Sequence, residues 1–142
     1  MKSVPQFTLL LVEDHDDSRE AIKYWLEKKG WHVVAAGDQK TALALARKHA
    51  IDLLVCDLQL PDGDGWELMK QLQTIRPVLG IITSGHCSST DMARSKAAGF
   101  LKHLTKPYPV EELDALLDRI QRKLEKGGRA PSTNVNKRDR TQ

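Results

Sequence analysis

Cysteine is nearly missing from this chain: Cys56 and Cys87 are the two among 142 residues. Two residues cannot build a disulfide framework, and their separation is no metal-ligand spacing, so neither a stapled secreted scaffold nor a zinc centre is indicated. A reduced, cytosolic chain is the expectation. Long apolar runs are missing too. Met1 to Gln6 has one positive charge, but the run that follows stops after Phe7 to Val12, which is too short for a signal peptide. No stretch approaches the roughly twenty apolar residues of a membrane span, so a soluble protein without a membrane partner is expected. An excess of one charge is absent from the part that should fold: Lys and Arg number 22 against 19 Asp and Glu, yet residues 1–126 hold 18 of each. A neutral globule lacks the basic surface that reading a phosphate backbone needs, and nucleic acid is not an expected partner.

What is present suffices for one domain with a core: 40% of residues are apolar and 29% charged. Residues 1–6 read as an N-terminal extension, 7–126 as the domain, and 127–142 as a disordered basic tail with one aliphatic side chain larger than Ala. Within the domain, short apolar runs alternate with helical periodicity. Phe7 to Val12, His32 to Ala36, Leu53 to Asp57, Val78 to Thr83 and Phe100 to Leu104 predict strands. Between and after them, Ala21, Ile22, Trp25 and Leu26 form one helical stripe, with Asp17 and Glu20 as its capping pair. Ala42, Leu45 and Ala46 form a second, Trp66, Met69 and Leu72 a third, and Asp91 to Ala98 a weak small-residue helix. Val110, Leu113, Leu116, Leu117, Ile120 and Leu124 mark the last. Five strands alternating with five helices predict an α/β fold, a doubly wound parallel sheet with helices on both faces.

Polar residues collect where the strands end. The first strand ends at Glu13-Asp14, the third at Asp57, the fourth at Thr83-Ser84, and the fifth runs into Lys106. These are carboxyl ends of strands that a doubly wound order sets side by side, so they share the crevice where open α/β sheets place ligands. Carboxylates about 4 Å apart repel by roughly 4 kcal/mol at an effective dielectric near 20. One lysine cannot neutralise three acids, so either a carboxylate takes a proton or a divalent cation binds. An oxygen-only set with room for water suits Mg²⁺. The same acids exclude a Rossmann or Walker phosphate cradle, which offers glycine amides. Asp62-Gly63-Asp64-Gly65 lacks the further ligands of a calcium loop. With a cation on one side, Lys106 on another and the Ser84 hydroxyl as donor, a transferring phosphoryl group has partners for its oxygens, and Asp57 is the nucleophile that forms an acyl phosphate.

The set Glu13-Asp14, Asp57-x-x-Leu-Pro-x-Gly-x-Gly, Ser84-Gly85 and Lys106-Pro107 resembles the receiver (CheY-like) domain of two-component response regulators, in order and over about residues 7 to 126. The resemblance implies the (βα)5 flavodoxin-like fold with strand order 2-1-3-4-5. It implies a phosphoryl group passing to Asp57 from a histidine kinase or histidine phosphotransfer protein, with no catalysis beyond the chain's own phosphorylation and dephosphorylation. Asp14, Asp57 and the Gln59 backbone carbonyl would ligate Mg²⁺, with Glu13 acting mostly through water. Lys106 would pair with phosphoryl oxygens. Ser84 and His103 would turn inward together as the switch, and the face of the fourth helix, fifth strand and fifth helix would engage a downstream protein or a second copy of the chain. The Lys106-Pro107 bond would be cis. The family's switch position usually carries Tyr or Phe, and His103 departs from that. With only the tail after the last helix no output domain is expected, and a stand-alone regulator or the receiver of a hybrid kinase is the expectation. A pseudo-receiver that binds protein without phosphorylation is the alternative.

Overall fold

The computed structural model describes residues 6–127. The chain begins with β1 (Thr8–Val12), α1 (Asp16–Lys28), β2 (His32–Ala36), α2 (Gln39–Lys48) and β3 (Leu53–Asp57). It continues through a miniature hairpin, β4 (Gln59–Leu60) and β5 (Gly63–Asp64), to α3 (Gly65–Gln73) and β6 (Leu79–Ser84). α4 (Ser89–Ala97), β7 (Lys102–Thr105) and α5 (Val110–Lys126) complete it. The main sheet is parallel throughout, in the order β2-β1-β3-β6-β7. This is the expected 2-1-3-4-5 order, with β6 and β7 as the fourth and fifth strands of the sheet.

The strands are apolar on both sides because both sides are covered. Leu10, Val12, Leu54, Cys56 and Ile82 pack with Ala42 and Ala46 of α2 and with Trp66, Leu68, Met69 and Leu72 of α3. Their neighbours Leu9, Leu11, Leu53, Val55 and Ile81 face the other way, against Leu26 of α1 and Leu113, Leu116, Leu117, Ile120 and Leu124 of α5. Each such side chain contributes about 1.5–3 kcal/mol on burial, so α5 is held mainly by this stripe. Val110 lies outside it, 55% exposed, because it is the first residue of the helix, after Pro109 at the N-cap. Ala21 is likewise exposed, and α1 has only Leu26 fully buried.

Side-chain caps set the starts of α1 to α4, whereas α5 begins after Pro109 without one. Asp38 accepts from the Thr41 amide and Asp64 from the Glu67 amide. Ser88 and Asp91 form a reciprocal capping box on α4. α1 does not use the expected Asp17 and Glu20 pair. Its cap is His15, whose Nδ1 accepts from the Ser18 amide at 3.2 Å, which leaves Asp16 and Asp17 in the first turn where the helix dipole favours negative charge. The hairpin of β4 and β5 is too short to show a period of two in the sequence. Asp62, at its tip, accepts from the amides of Gln39 (2.7 Å) and Lys40 (3.0 Å), tying the loop after β3 to the start of α2. The expected extension (1–6) and tail (127–142) lie outside the described residues apart from Gln6 and Gly127, the latter closing α5.

Candidate functional site

The strand tips form one cleft of about 730 Å³ at the carboxyl edge of the sheet, lined by Asp14, Asp57, Gln59, Ser84 and Lys106 among others. Backbone packing fixes its floor. The Leu58 amide donates to the Thr83 carbonyl (2.8 Å) and the Gly65 amide to the Leu58 carbonyl (2.7 Å), so the chain leaves β3 tightly bent. A side chain at position 65 would put its Cβ 2.9 Å from the Asp57 carbonyl oxygen, which is why the second glycine of the motif is needed there.

Glu13, Asp14 and Asp57 each offer an oxygen, all within 4.8 Å of one another. Glu13 and Asp57 are buried and Asp14 is exposed. Lys106 answers them: its Nζ is 2.8 Å from Asp57 Oδ1 and 3.3 Å from Glu13 Oε1. Burial acts against the charge on both sides. At Asp57 burial prevails and the carboxyl is pushed up, although the bonds from Lys106 and Thr83 pull it down. At Lys106 burial is outweighed by Asp57 and Glu13, and the ammonium is held above its usual range. Three carboxylates against one lysine leave negative charge uncompensated, and an all-oxygen donor set open to solvent through Asp14 fits Mg²⁺. Gln59, exposed on β4, lines the same cleft. The Lys106-Pro107 bond is cis.

Ser84 and Thr83 divide by strand phase. Thr83 is in register with Asp57 and its hydroxyl donates to Asp57 Oδ1 at 2.7 Å. Ser84, one residue later, points to the opposite side of the sheet and donates to the His86 carbonyl at 2.6 Å. His103 is already inward and buried, its Nε2 2.8 Å from Ser84 Oγ and its Nδ1 2.8 Å from Ser95 Oγ on α4. Trp66 Nε1 of α3 donates to that same Ser95 hydroxyl at 2.8 Å. Ser84 already donates to a carbonyl, so His103 Nε2–H donates to Ser84. Burial holds the His103 pKa below the usual range against the opposing charge of Asp91, which favours the neutral ring. A ring with only Nε2 protonated accepts at Nδ1 from Ser95, whose oxygen in turn accepts from Trp66.

Other flanking residues have structural employment. His15 caps α1, and His86 lends a carbonyl to Ser84. Trp31 and Trp66 are buried, Trp25 partly so, and Cys56 is sealed on the α3 side of β3, its thiol pushed far up by burial and then by the charge of Asp57. Reasoning from strand ends puts Thr83 at the tip with Ser84 but gives it no role in the site. The signal for it was available: it stands one position before Ser84, and side chains alternate along a strand.

A parallel five-stranded sheet with an acidic pair, an aspartate, hydroxyls and a lysine at adjacent strand tips defines a class of protein. A sequence model of the response regulator receiver domain matches residues 9–118, and the chain belongs to that family. It is 30% identical over 117 residues to "Probable transcriptional regulatory protein TcrX" of Mycobacterium tuberculosis, which covers 82% of this chain and 50% of that protein. An "Uncharacterized 14.6 kDa protein in sodA1 3'region" of Leptolyngbya boryana is 30% identical over 122 residues, covering 84% of this chain and 93% of that one. Among solved structures, a CheY-like response regulator receiver domain protein from Methanospirillum hungatei superposes with a TM-score of 0.74 at 28% identity, covering 85% and 95% of the two chains. The chain spans about half the length of several curated relatives. Among the described residues no helix is long and apolar enough to cross a membrane.

Proposed function

We propose that Asp57 is the phosphoacceptor of a two-component phosphorelay. The phosphohistidine of a histidine kinase or histidine phosphotransfer protein is the donor, and the protein catalyses no reaction beyond its own phosphorylation and dephosphorylation. The observation that carries this is the Asp57 carboxylate at a strand tip, within 2.8 Å of Lys106 Nζ and beside two further acids. Asp14, Asp57 and the Gln59 carbonyl would hold Mg²⁺, with Glu13 acting through water, and a cation bound there would supply the charge compensation that one lysine cannot give three acids. Asp57 supplies the attacking oxygen, and Lys106 moves from the carboxylate to the phosphoryl oxygens. Ser84 releases the His86 carbonyl and turns its hydroxyl to the same group. Because His103 is inward already, its part is to orient Ser84 rather than to move with it. The protein works in the cytoplasm.

Output is a population shift read on the α4-β7-α5 face, by a downstream protein or by a second copy of the chain. Met92 and Leu101 are exposed there, 48% and 46%, beside Lys96 and Lys102. Signalling is by protein contact. The relatives named as transcriptional regulators are longer than this chain, and a nucleic-acid role is not part of the proposal, since residues 1–126 are neutral. Incubation with acetyl phosphate and Mg²⁺ tests the reading. Intact mass should rise by one phosphoryl group in the parent and not in Asp57→Asn. If neither acetyl phosphate nor any histidine kinase labels the parent, the chain is a pseudo-receiver that binds protein unphosphorylated.

A further inference from the structure

We infer that Thr83 sets the lifetime of the phosphoryl group on Asp57, as a positioning residue acting on the carboxylate oxygen that does not carry phosphorus. This rests on the reading of Asp57 as phosphoacceptor. The two carboxylate oxygens are unlike. Oδ1 takes both the Thr83 hydroxyl (2.7 Å) and Lys106 Nζ (2.8 Å), whereas Oδ2 receives neither. Oδ2 is therefore the oxygen with lone pairs available for attack on phosphorus, and Oδ1 becomes the carbonyl oxygen of the acyl phosphate.

Lys106 has a long flexible stem and can follow the phosphoryl group. Thr83 cannot. It is buried, β-branched, paired in register with Asp57, and its carbonyl is tied to the Leu58 amide. Its hydroxyl stays with Oδ1 in both states.

The consequence follows from where charge grows. In hydrolysis, a water oxygen bonds to phosphorus as the bond from phosphorus to Oδ2 breaks. The electron pair stays with the carboxylate, shared between Oδ2 and Oδ1, and the water's protons leave with inorganic phosphate and solvent. Negative charge on Oδ1 increases toward the transition state, so the Thr83 hydrogen bond strengthens along the way and speeds the reaction. In phosphorylation by an acyl phosphate the carboxylate starts charged and loses charge, so the same bond holds the nucleophile back. Thr83 thus shortens the lifetime from one side and restrains loading from the other.

The test uses the full chain with Mg²⁺. It is loaded with acetyl phosphate, freed of donor, and followed by intact mass. Thr83→Val, which keeps shape and removes the hydroxyl, should lose its phosphoryl group about tenfold more slowly, the effect of one hydrogen bond to a charging oxygen. It should load at least as fast as the parent. Thr83→Ser, which restores the donor, should match the parent in both rates within about twofold. A hydroxyl that merely supports the fold would slow loading and decay together on removal, and that result overturns the inference, as does unchanged decay in Thr83→Val. If Thr83→Val does not fold by circular dichroism, Thr83→Ala must show the same opposed pair of changes. A parent that never loads overturns the phosphoacceptor reading and this inference with it, whereas a parent that loads and a Thr83→Val variant that decays normally overturns this inference alone.

Discussion

His103 occupies a position where the family usually has an aromatic ring, and its imidazole does what a phenyl ring cannot, linking Ser84 to Ser95 by hydrogen bonds of 2.8 Å on each nitrogen. Burial holds its pKa below the ordinary 6.5, against the charge of Asp91. The unfolded chain therefore takes the proton at a higher pH than the folded one. The stability this contributes is complete above about 6.5 and is lost as pH falls below that, through the folded value. Thermal unfolding from pH 7.5 to 5 should show the midpoint of the parent falling with acidification, and His103→Phe should fall less steeply. His49, also lowered by burial with His32 and Lys48 nearby, keeps its own share of the slope in both proteins. A sequence shows which residue stands at this position. It does not show that both ring nitrogens find partners, because those lie on other elements.

At the scale of elements, Ser95 joins three of them: Trp66 on α3 donates to its hydroxyl, and that hydroxyl donates to His103 on β7. α4 is short and poor in large apolar side chains, and Ser95 is the one residue it buries. Its placement therefore depends on polar ties more than on area. Ser95→Ala would strand a buried indole N–H and an imidazole nitrogen and should cost about 1–3 kcal/mol, measured by urea unfolding. Strands and helices were legible because their periods are short-range properties of the chain, and the apolar runs located all five strands of the sheet to within two residues. The cap of α1 was not, since His15 competes poorly with aspartates as a sequence signal, and the two-residue strands β4 and β5 were too short to show alternation. Thr83, named with Ser84 at its strand end, had no assigned role for a related reason: a strand end is only a place, whereas the phase of each side chain decides which face it serves.

For the whole molecule, the carboxyl edge of the sheet concentrates like charge that only partly cancels, so a cation bound there stabilises the fold as a unit. Added Mg²⁺ should raise the thermal midpoint, with a gain approaching about 2.7 kcal/mol when free ion is a hundred times its dissociation constant. Asp14→Asn should lose most of this response. A response undiminished in Asp14→Asn would place the cation elsewhere. The same edge collects four strand tips separated by up to 93 positions, as between Glu13 and Lys106, and this convergence makes one site of them.

The sequence by itself determined the alternation of strand and helix, the parallel sheet, the acids and the lysine of the site, and Asp57 as its centre. These follow from periodicity, from charge, and from the rule that doubly wound sheets gather their strand ends. Only the tertiary structure decided how the hydroxyls are shared out. Thr83 falls to Asp57, and Ser84 to the line through His103 and Ser95 to Trp66, because register and strand phase are set by neighbours that pack from distant parts of the chain.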